Sequence, residues 1–334
     1  MAYDGKILRR AQQKLEQDRQ RRADQFQMRK ESAFQIEPRL REIDRTLHAT
    51  MSRILSAALR KGTDPKPAID ALKQENLQLQ QEQRVLLQSL RLPPDFLEER
   101  PACPLCGDTG YRNGVVCSCL RKYYAKEQQK ELSRMLDLGT QSFETFSLGW
   151  YADTYDPNMQ ISSRKNMERI LNICRKYADT FSMDSGNLLM TGDPGLGKTF
   201  LSAAIARVVS GNGWSVVYDT AGHIFGRFED QKFRRDDGEE VSSDINRILL
   251  CDLLILDDLG TEMTTAFVQS VLYQIINTRL VEHRPTILST NLRMEALKGR
   301  YSPQIVSRIE GEYRVLPFFG EDIRRLKKQR KPPQ

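Results

Sequence analysis

The sequence predicts an α/β fold, a parallel sheet flanked by helices, preceded by an α-helical coiled-coil hairpin and a small cysteine-rich module. Three observations carry this prediction. From about residue 163 onward, strand-like apolar runs alternate with helical patterns, as repeated βαβ units do. Between residues 36 and 90, two heptad patterns flank a turn containing Gly62 and Pro65. Four of the six cysteines fall in 103–119, CPLCGDTGYRNGVVCSC.

A chain of 334 residues is long enough for two domains and a sizeable core. Only 39% of it is hydrophobic and 28% is charged, with a mean hydropathy of −0.55, so part is expected to be helical and solvated. The opening MAYDGKILRRAQQKLEQDRQRR has no apolar stretch suited to a signal peptide. The longest apolar candidate, ILLCDLLIL at 248–256, is interrupted by Asp252 and is half the ~18 residues a membrane helix needs. The expectation is a cytoplasmic protein with no membrane partner. Net charge is +7 and pI about 9.0, and RRLKKQRKPP at 324–333 is intensely basic. That balance suits a nucleic-acid or other polyanionic partner, with a merely solvated tail as the plain alternative.

Residues 1–35 are rich in Gln, Arg and Lys and are expected to be helical and largely solvated. A heptad pattern comes next: Ile36, Leu40, Ile43, Leu47, Thr50, Ile54, Ala57. GTDPKP (62–67) suits a turn between helices, and a second seam runs through Ile69, Leu72, Asn76, Leu79, Gln83, Leu86 and Leu90. Two matched seams joined by a tight turn predict an antiparallel coiled-coil hairpin, with Asn76 and Gln83 fixing register. After the cysteines comes a basic helix from about 120 to 136. SFETFSLGWY (142–151) reads as an ordered linker whose aromatics pack on the domain after it. The expected division is 1–95 helical coiled-coil region, 96–136 cysteine module and basic helix, 137–162 linker, and 163–334 α/β domain.

Cys103 and Cys106 form one close pair and Cys117 and Cys119 another, with a Gly- and Asn-containing segment able to turn back between them. Four cysteines are a common structural zinc set, and His48, His223 and His283 all lie far off in sequence. The strand and βαβ context of a redox CxxC is missing, and disulfides do not suit a cytoplasmic chain. So short a polar segment cannot bury enough apolar surface to fold alone, whereas a structural zinc site supplies on the order of 10–16 kcal/mol. Four protein ligands leave no position for a reacting water, so the expected Zn²⁺ is structural. Cys174 and Cys251 read as packing residues.

NLLMT (187–191) reads as a short apolar strand, GDPGLGKT (192–199) comes directly after it, and TFLSAAIARVVS (199–210) is a helix closed by Gly211. Strand, G-x-x-x-x-G-K-[ST] and helix together make a Walker A loop, a cradle for nucleotide phosphates. The nucleotide-binding residues are then Gly192, Asp193, Pro194, Gly195, Leu196, Gly197, Lys198, Thr199 and Phe200. Lys198 brings positive charge to the β- and γ-phosphates and Thr199 offers a hydroxyl to Mg²⁺. In DLLILDDLG (252–260) an apolar strand ends in two carboxylates, as a Walker B requires. Asp257 is expected to hold Mg²⁺ and Asp258 to orient or deprotonate the attacking water. PTILSTN (285–291) ends in Asn291, which can reach a γ-phosphate or its water. Phe267, Val271, Ile275 and Leu280 read as core.

GDPGLGKT, LLILDDLG and ILSTN, in that order and spacing, resemble the AAA+ P-loop ATPases. VSRIEG (306–311) and GEDIRRL (320–326) narrow the resemblance to bacterial replicative helicase loaders of the DnaC/DnaI type. The cysteine segment is similar to the zinc segment that precedes the ATPase in some of these loaders, whereas residues 1–95 carry hardly any likeness. The resemblance implies ATP and Mg²⁺ as ligands and a slow, assembly-dependent hydrolysis. It implies self-association through the ATP sites, docking on the hexameric replicative DNA helicase, and contact with single-stranded DNA. Residue by residue it implies Asn291 as sensor 1, Arg308 as an arginine finger acting in a neighbouring subunit's site, and Arg324 as sensor 2 in cis. Asp258 departs from the glutamate common at its position, and the helical lid common in other AAA+ proteins is expected to be absent, which leaves the cis reach of Arg324 open. The stretch 222–240 corresponds to a DNA-touching element, in which Phe225, Phe228 and Phe233 beside Arg227, Lys232, Arg234 and Arg235 suit stacking and phosphate contact. A charged surface loop over a packed helix is its equal alternative. Two rival functions remain: a transposition helper ATPase, and a nucleic-acid adaptor that binds ATP without hydrolysing it.

Overall fold

The computed structural model describes residues 3–58, 66–136, 141–233 and 238–329. By chain contacts the protein divides into two compact units, Gln13–Cys117 and a larger one made of Met1–Gln12 with Ser118–Gln334. Helix α1 (Gly5–Ile36) opens in the larger unit and continues into the smaller.

In the smaller unit α2 (Pro38–Ala58) and α3 (Lys66–Ser89) lie antiparallel. Arg39 pairs with Glu82 at 2.8 Å and Arg53 with Glu75 at 3.0 Å, so α3 runs back along α2. The Thr50 hydroxyl donates to Asn76 Oδ1 at 2.9 Å, which satisfies both polar groups within the helix pair. Leu40, Ile43, Leu72 and Leu87 are buried, while Ile36 is 68% exposed. The seam thus begins at Leu40, because Pro38 has no N–H to continue α1 and instead starts a new helix. The turn at 62–65 lies outside the described residues.

A two-residue hairpin of β1 (Tyr111–Arg112) and β2 (Val115–Val116) turns through Asn113 and Gly114, both at positive φ. This is the Asn-Gly chemistry that short hairpins favour.

In the larger unit Asp4 caps the start of α1, its Oδ1 accepting the Lys6 and Ile7 amides at 2.7 and 2.9 Å. Its Oδ2 pairs with Arg247 at 2.6 Å, and its own N–H donates to the Tyr124 hydroxyl at 3.1 Å. Ile7 and Ala11 are fully buried, so the first residues are not the solvated stretch expected. Tyr124 belongs to α4 (Ser118–Leu136). Buried Gln128 of the same helix donates to the Trp214 carbonyl at 2.9 Å.

After a small hairpin of β3 (Tyr155–Asp156) and β4 (Ile161–Ser162) comes α5 (Ser163–Asp179), N-capped by Ser162. The remaining elements, in order, are β5 (Asn187–Thr191), α6 (Lys198–Gly211), β6 (Val216–Thr220), α7 (Ala221–Phe233), α8 (Gly238–Leu250) and β7 (Leu253–Leu259). Next are α9 (Ala266–Val281), β8 (Thr286–Thr290), α10 (Met294–Arg300), α11 (Pro303–Glu312), β9 (Tyr313–Pro317) and α12 (Ile323–Gln329). The five strands form one parallel sheet in the order β6-β7-β8-β5-β9, the α/β architecture that the AAA+ resemblance implies. Its strands are apolar on both faces. Leu188, Met190, Leu253 and Ile255 join α5 and α6 in one core, and Leu189, Leu254 and Leu256 join residues of α7 to α11 in the other. Val271 and Ile275 are buried in the second core, with Phe267 and Leu280 at its margin.

One expectation falls here. Phe225 and Phe228 are 3% and 6% exposed, inside the second core, so neither is available to stack on a base. Arg227 is occupied by an ion pair with Asp219 at 2.7 Å. Helical spacing places these aromatics on the face that the apolar sheet demands, and burial of that face outweighs any surface role. Arg234 and Arg235 lie outside the described residues, as does the Phe233 side chain.

Candidate nucleotide site and cysteine cluster

The strand order places the ends of β7, β8 and β5 side by side, and the helices that follow the neighbouring strands β5 and β8 pack on opposite faces of the sheet. Ligands of open parallel sheets collect at the carboxyl ends of strands at such a point. The Walker A loop leaves β5 there. At Gly192 (φ 137°) a Cβ would come within 2.0 Å of the Phe318 carbonyl oxygen, and at Gly195 (φ 81°) within 1.9 Å of Asp322 Oδ1. Both positions therefore require glycine. Leu196 is fully buried, and its carbonyl accepts a hydrogen bond from the Tyr151 hydroxyl at 2.8 Å. On the far side, Phe318 N–H donates to Thr191 O at 2.7 Å and Ile323 N–H to Gly195 O at 3.1 Å. The loop is held from both flanks.

Lys198 opens α6, which directs positive charge and free backbone N–H groups to one spot. Its Nζ donates to Gly192 O at 2.6 Å, Asp193 O at 2.9 Å and Asn291 Oδ1 at 2.7 Å. Burial pulls the ammonium pKa below its ordinary value, against the opposing pull of Asp258, Asp257 and Asp193.

Asp257 is buried, and both its oxygens are engaged. Oδ2 accepts from the Tyr218 hydroxyl at 2.6 Å; Oδ1 accepts from Ser289 Oγ and from the Asp258 N–H. Asp258 comes at a register shift in β7, with φ 53°, an irregularity that turns its side chain out of the strand alternation and into the pocket. Burial, and then the neighbouring Asp257 charge, hold the Asp258 carboxyl above the ordinary aspartate range.

These groups line one pocket of about 290 Å³. Pro194, Gly195, Gly197, Lys198, Thr199 and Phe200 contribute from the loop and helix, Asp258 and Asn291 from the strand ends, and Arg324 and Lys327 from α12. The opposite wall is the segment 141–151. Phe146 stacks on Tyr151 with centroids 5.8 Å apart and meets Phe200 edge-on at 5.4 Å; Lys327 sits over the Trp150 ring at 5.7 Å. The sequence marks these aromatics as packing but gives no sign that they wall a site. Tyr218 and Ser289 are equally silent there, since VVYDT and TILST read simply as buried strands.

Arg308 is not brought to this pocket. On α11 its guanidinium donates to Tyr273 Oη at 3.0 Å, Asn277 Oδ1 at 3.2 Å and Gln304 O at 3.1 Å. It lines a separate groove of about 870 Å³ with Asn187, Arg284 and Glu312.

Cys103, Cys106, Cys117 and Cys119 converge, their four Sγ atoms within 4.8 Å of one another. Cys103 and Cys117 Sγ are 3.8 Å apart. A tetrahedral ion with bonds of about 2.3 Å puts neighbouring sulfurs about 3.8 Å apart, so the donor set fits Zn²⁺. Asp108 supports the first pair: Oδ1 accepts the Cys103 amide at 2.8 Å, while Oδ2 accepts the Ala102 amide at 3.0 Å and Arg22 at 2.9 Å. Nothing in the cysteine spacing announces that role.

The larger unit also matches known proteins. Residues 163–329 match the family model described as IstB-like ATP binding protein. The replicative helicase loader DnaC of Escherichia coli K12 is 27% identical over 139 residues, 42% of this chain and 56% of that protein. The uncharacterized protein YdaV of the same strain is 30% identical over 139 residues, 42% of this chain and 55% of that one. The chain thus spans about half the length of the curated relatives it matches. Among solved structures, the crystal structure of the DnaC helicase loader aligns with a TM-score of 0.44 at 21% identity, covering 55% of this chain and 99% of that one.

Proposed function

This chain belongs to the IstB-like ATP binding proteins, and we propose that it is an ATPase which assists placement of a hexameric replicative DNA helicase on single-stranded DNA. The observation that carries the catalytic half is the convergence of Lys198, Asn291 and Asp258 on one pocket, with Asp257 anchored behind them. The helicase half leans on the name of the relative DnaC and on the motifs at 306–311 and 320–326.

In this reading the Walker A amides and Lys198 receive the β- and γ-phosphates. Lys198 exchanges its bond to a loop carbonyl for one to a phosphate oxygen, which shifts charge toward the site at little conformational cost. Thr199 and Asp257 would hold Mg²⁺, which would supply positive charge to the transferred phosphoryl group. Asp258 takes the proton of the attacking water, a task suited to a carboxyl with a raised pKa. Asn291, already within hydrogen-bond reach of Lys198, orients that water. Arg324 lines the same pocket from α12, a position from which a contact in cis needs no large lid.

Arg308 does not line the pocket of its own chain, which suits an arginine offered to an adjoining copy. Hydrolysis then depends on assembly, with ATP favouring the assembled state and hydrolysis favouring release. The four cysteines would hold Zn²⁺, which would stiffen the segment ahead of the ATPase as part of a docking platform.

The test is affinity purification of the full chain from its native cell with ATP, followed by an ATPase assay across protein concentration. Recovery of the replicative helicase with concentration-dependent turnover supports the proposal. A transposase in its place reassigns the partner, and turnover at background with DNA and at high protein concentration removes the enzyme.

A further inference from the structure

We propose that Gln141 selects adenine over guanine in the nucleotide pocket, its side-chain amide pairing with the 6-amino group and N7 of the base. This rests on the ATP reading above and deepens it by naming the residue that tells one purine from the other.

The starting point is an orphaned atom. Gln141 Oε1 is buried without a hydrogen-bond partner, and Gln141 lines the pocket that holds Lys198, Asp258 and Asn291. A buried amide oxygen with no donor is costly, and most such groups in folded proteins find one. Oε1 itself has no exposed surface, so a donor from the pocket that Gln141 lines reaches it once the amide turns toward the ligand. Gln141 belongs to the same wall as Phe146 and Trp150, whose ring faces suit a flat heteroaromatic ligand. The wall therefore combines stacking surface, which any base can use, with one unsatisfied acceptor, which only some bases can.

Adenine presents a donor, its 6-amino group, beside an acceptor, N7. A glutamine amide presents an acceptor beside a donor, so the two close as a pair of parallel hydrogen bonds. Guanine presents O6 and N7, both acceptors. The amide can turn to offer its NH₂ group to one of them, but Oε1 then still has no donor. Discrimination arises from that leftover cost rather than from a better fit of shape, the asymmetry by which polar sites reject ligands lacking a partner group.

The experiment uses the full chain and measures equilibrium binding of Mg²⁺ complexes of ATP, GTP and 7-deaza-ATP, which lacks the N7 acceptor. Wild type is expected to favour ATP over GTP by between about five- and one-hundred-fold, and to bind 7-deaza-ATP less tightly than ATP. Gln141→Ala should weaken ATP, leave GTP nearly unchanged and bring the two affinities together, while ATP and 7-deaza-ATP become equivalent. Phe146→Leu should instead weaken ATP and GTP alike. The inference is overturned if Gln141→Ala keeps the wild-type ATP:GTP ratio, or if wild type binds both purines equally; the phosphate site then still stands. The 7-deaza comparison on wild type needs no substitution, so a poorly folding variant does not rescue the idea. Failure of wild type to bind any of these triphosphates would overturn the underlying ATP reading as well.

Discussion

The Tyr218 hydroxyl, on β6, donates a 2.6 Å hydrogen bond to Asp257 Oδ2 on the adjacent β7. Both groups are buried, and burial together with the Asp257 charge holds the phenol well above its ordinary pKa. The phenol therefore stays a donor across the physiological range, and it fixes the carboxylate assigned to Mg²⁺. Removing a bond to a charged group costs roughly 1.5–3 kcal/mol. Tyr218→Phe, which keeps the ring, is expected to raise the Mg²⁺ concentration for half-maximal ATP binding about tenfold. A Mg²⁺ titration of ATP binding checks this; an unchanged midpoint would mean that Ser289 and the Asp258 amide suffice.

Arg308 and Lys198 should separate cleanly. Lys198→Ala is expected to abolish ATP binding at any protein concentration, because the loop loses its only ammonium. Arg308→Ala should leave ATP affinity intact and lower turnover in the assembled protein, where fingers acting in trans are worth about 10³–10⁵ in kcat. Turnover measured against protein concentration distinguishes them. An equal loss for Arg308→Ala in monomer and assembly would place its action within one chain.

Asp108 ties the backbone of Cys103 to Arg22 of α1. Partners that orient metal ligands typically contribute 10–100-fold in affinity. Asp108→Asn is accordingly expected to weaken zinc retention by about that factor in competition with a chromogenic chelator. Replacing any of the four cysteines by serine should lower bound zinc outright. Zinc content unaffected by Cys103→Ser would remove Cys103 from the ligand set.

The acid limb of hydrolysis should report Asp258. Its carboxyl sits above the ordinary aspartate range because burial and the Asp257 charge oppose ionisation. A base with a raised pKa is lost by protonation as pH falls, and lost at a higher pH than an unperturbed aspartate near about 3.9. The pH profile of kcat/KM, which reports the free enzyme, is expected to fall on its acid side within that higher window. Activity that holds down to the ordinary aspartate range would remove Asp258 from the role.

By itself the sequence determined the sheet, the Walker A loop, the paired acids of Walker B and the cysteine pairs, because each is a local pattern. A strand-loop-helix with glycines at set spacing, or a CxxC and a CxC pair around an Asn-Gly turn, needs no distant residue to be recognisable. Only the tertiary structure decided what completes them. Strand order put β8 between β7 and β5, which is how Asn291 reaches Lys198 across 93 positions of chain. It turned Phe225 and Phe228 inward, gave Tyr218 to Asp257, and brought Gln141 and Trp150 around to face the loop. The physical reason is that hydrogen-bond partners and burial are properties of neighbours in space, and a parallel sheet makes neighbours of residues that no sequence period relates.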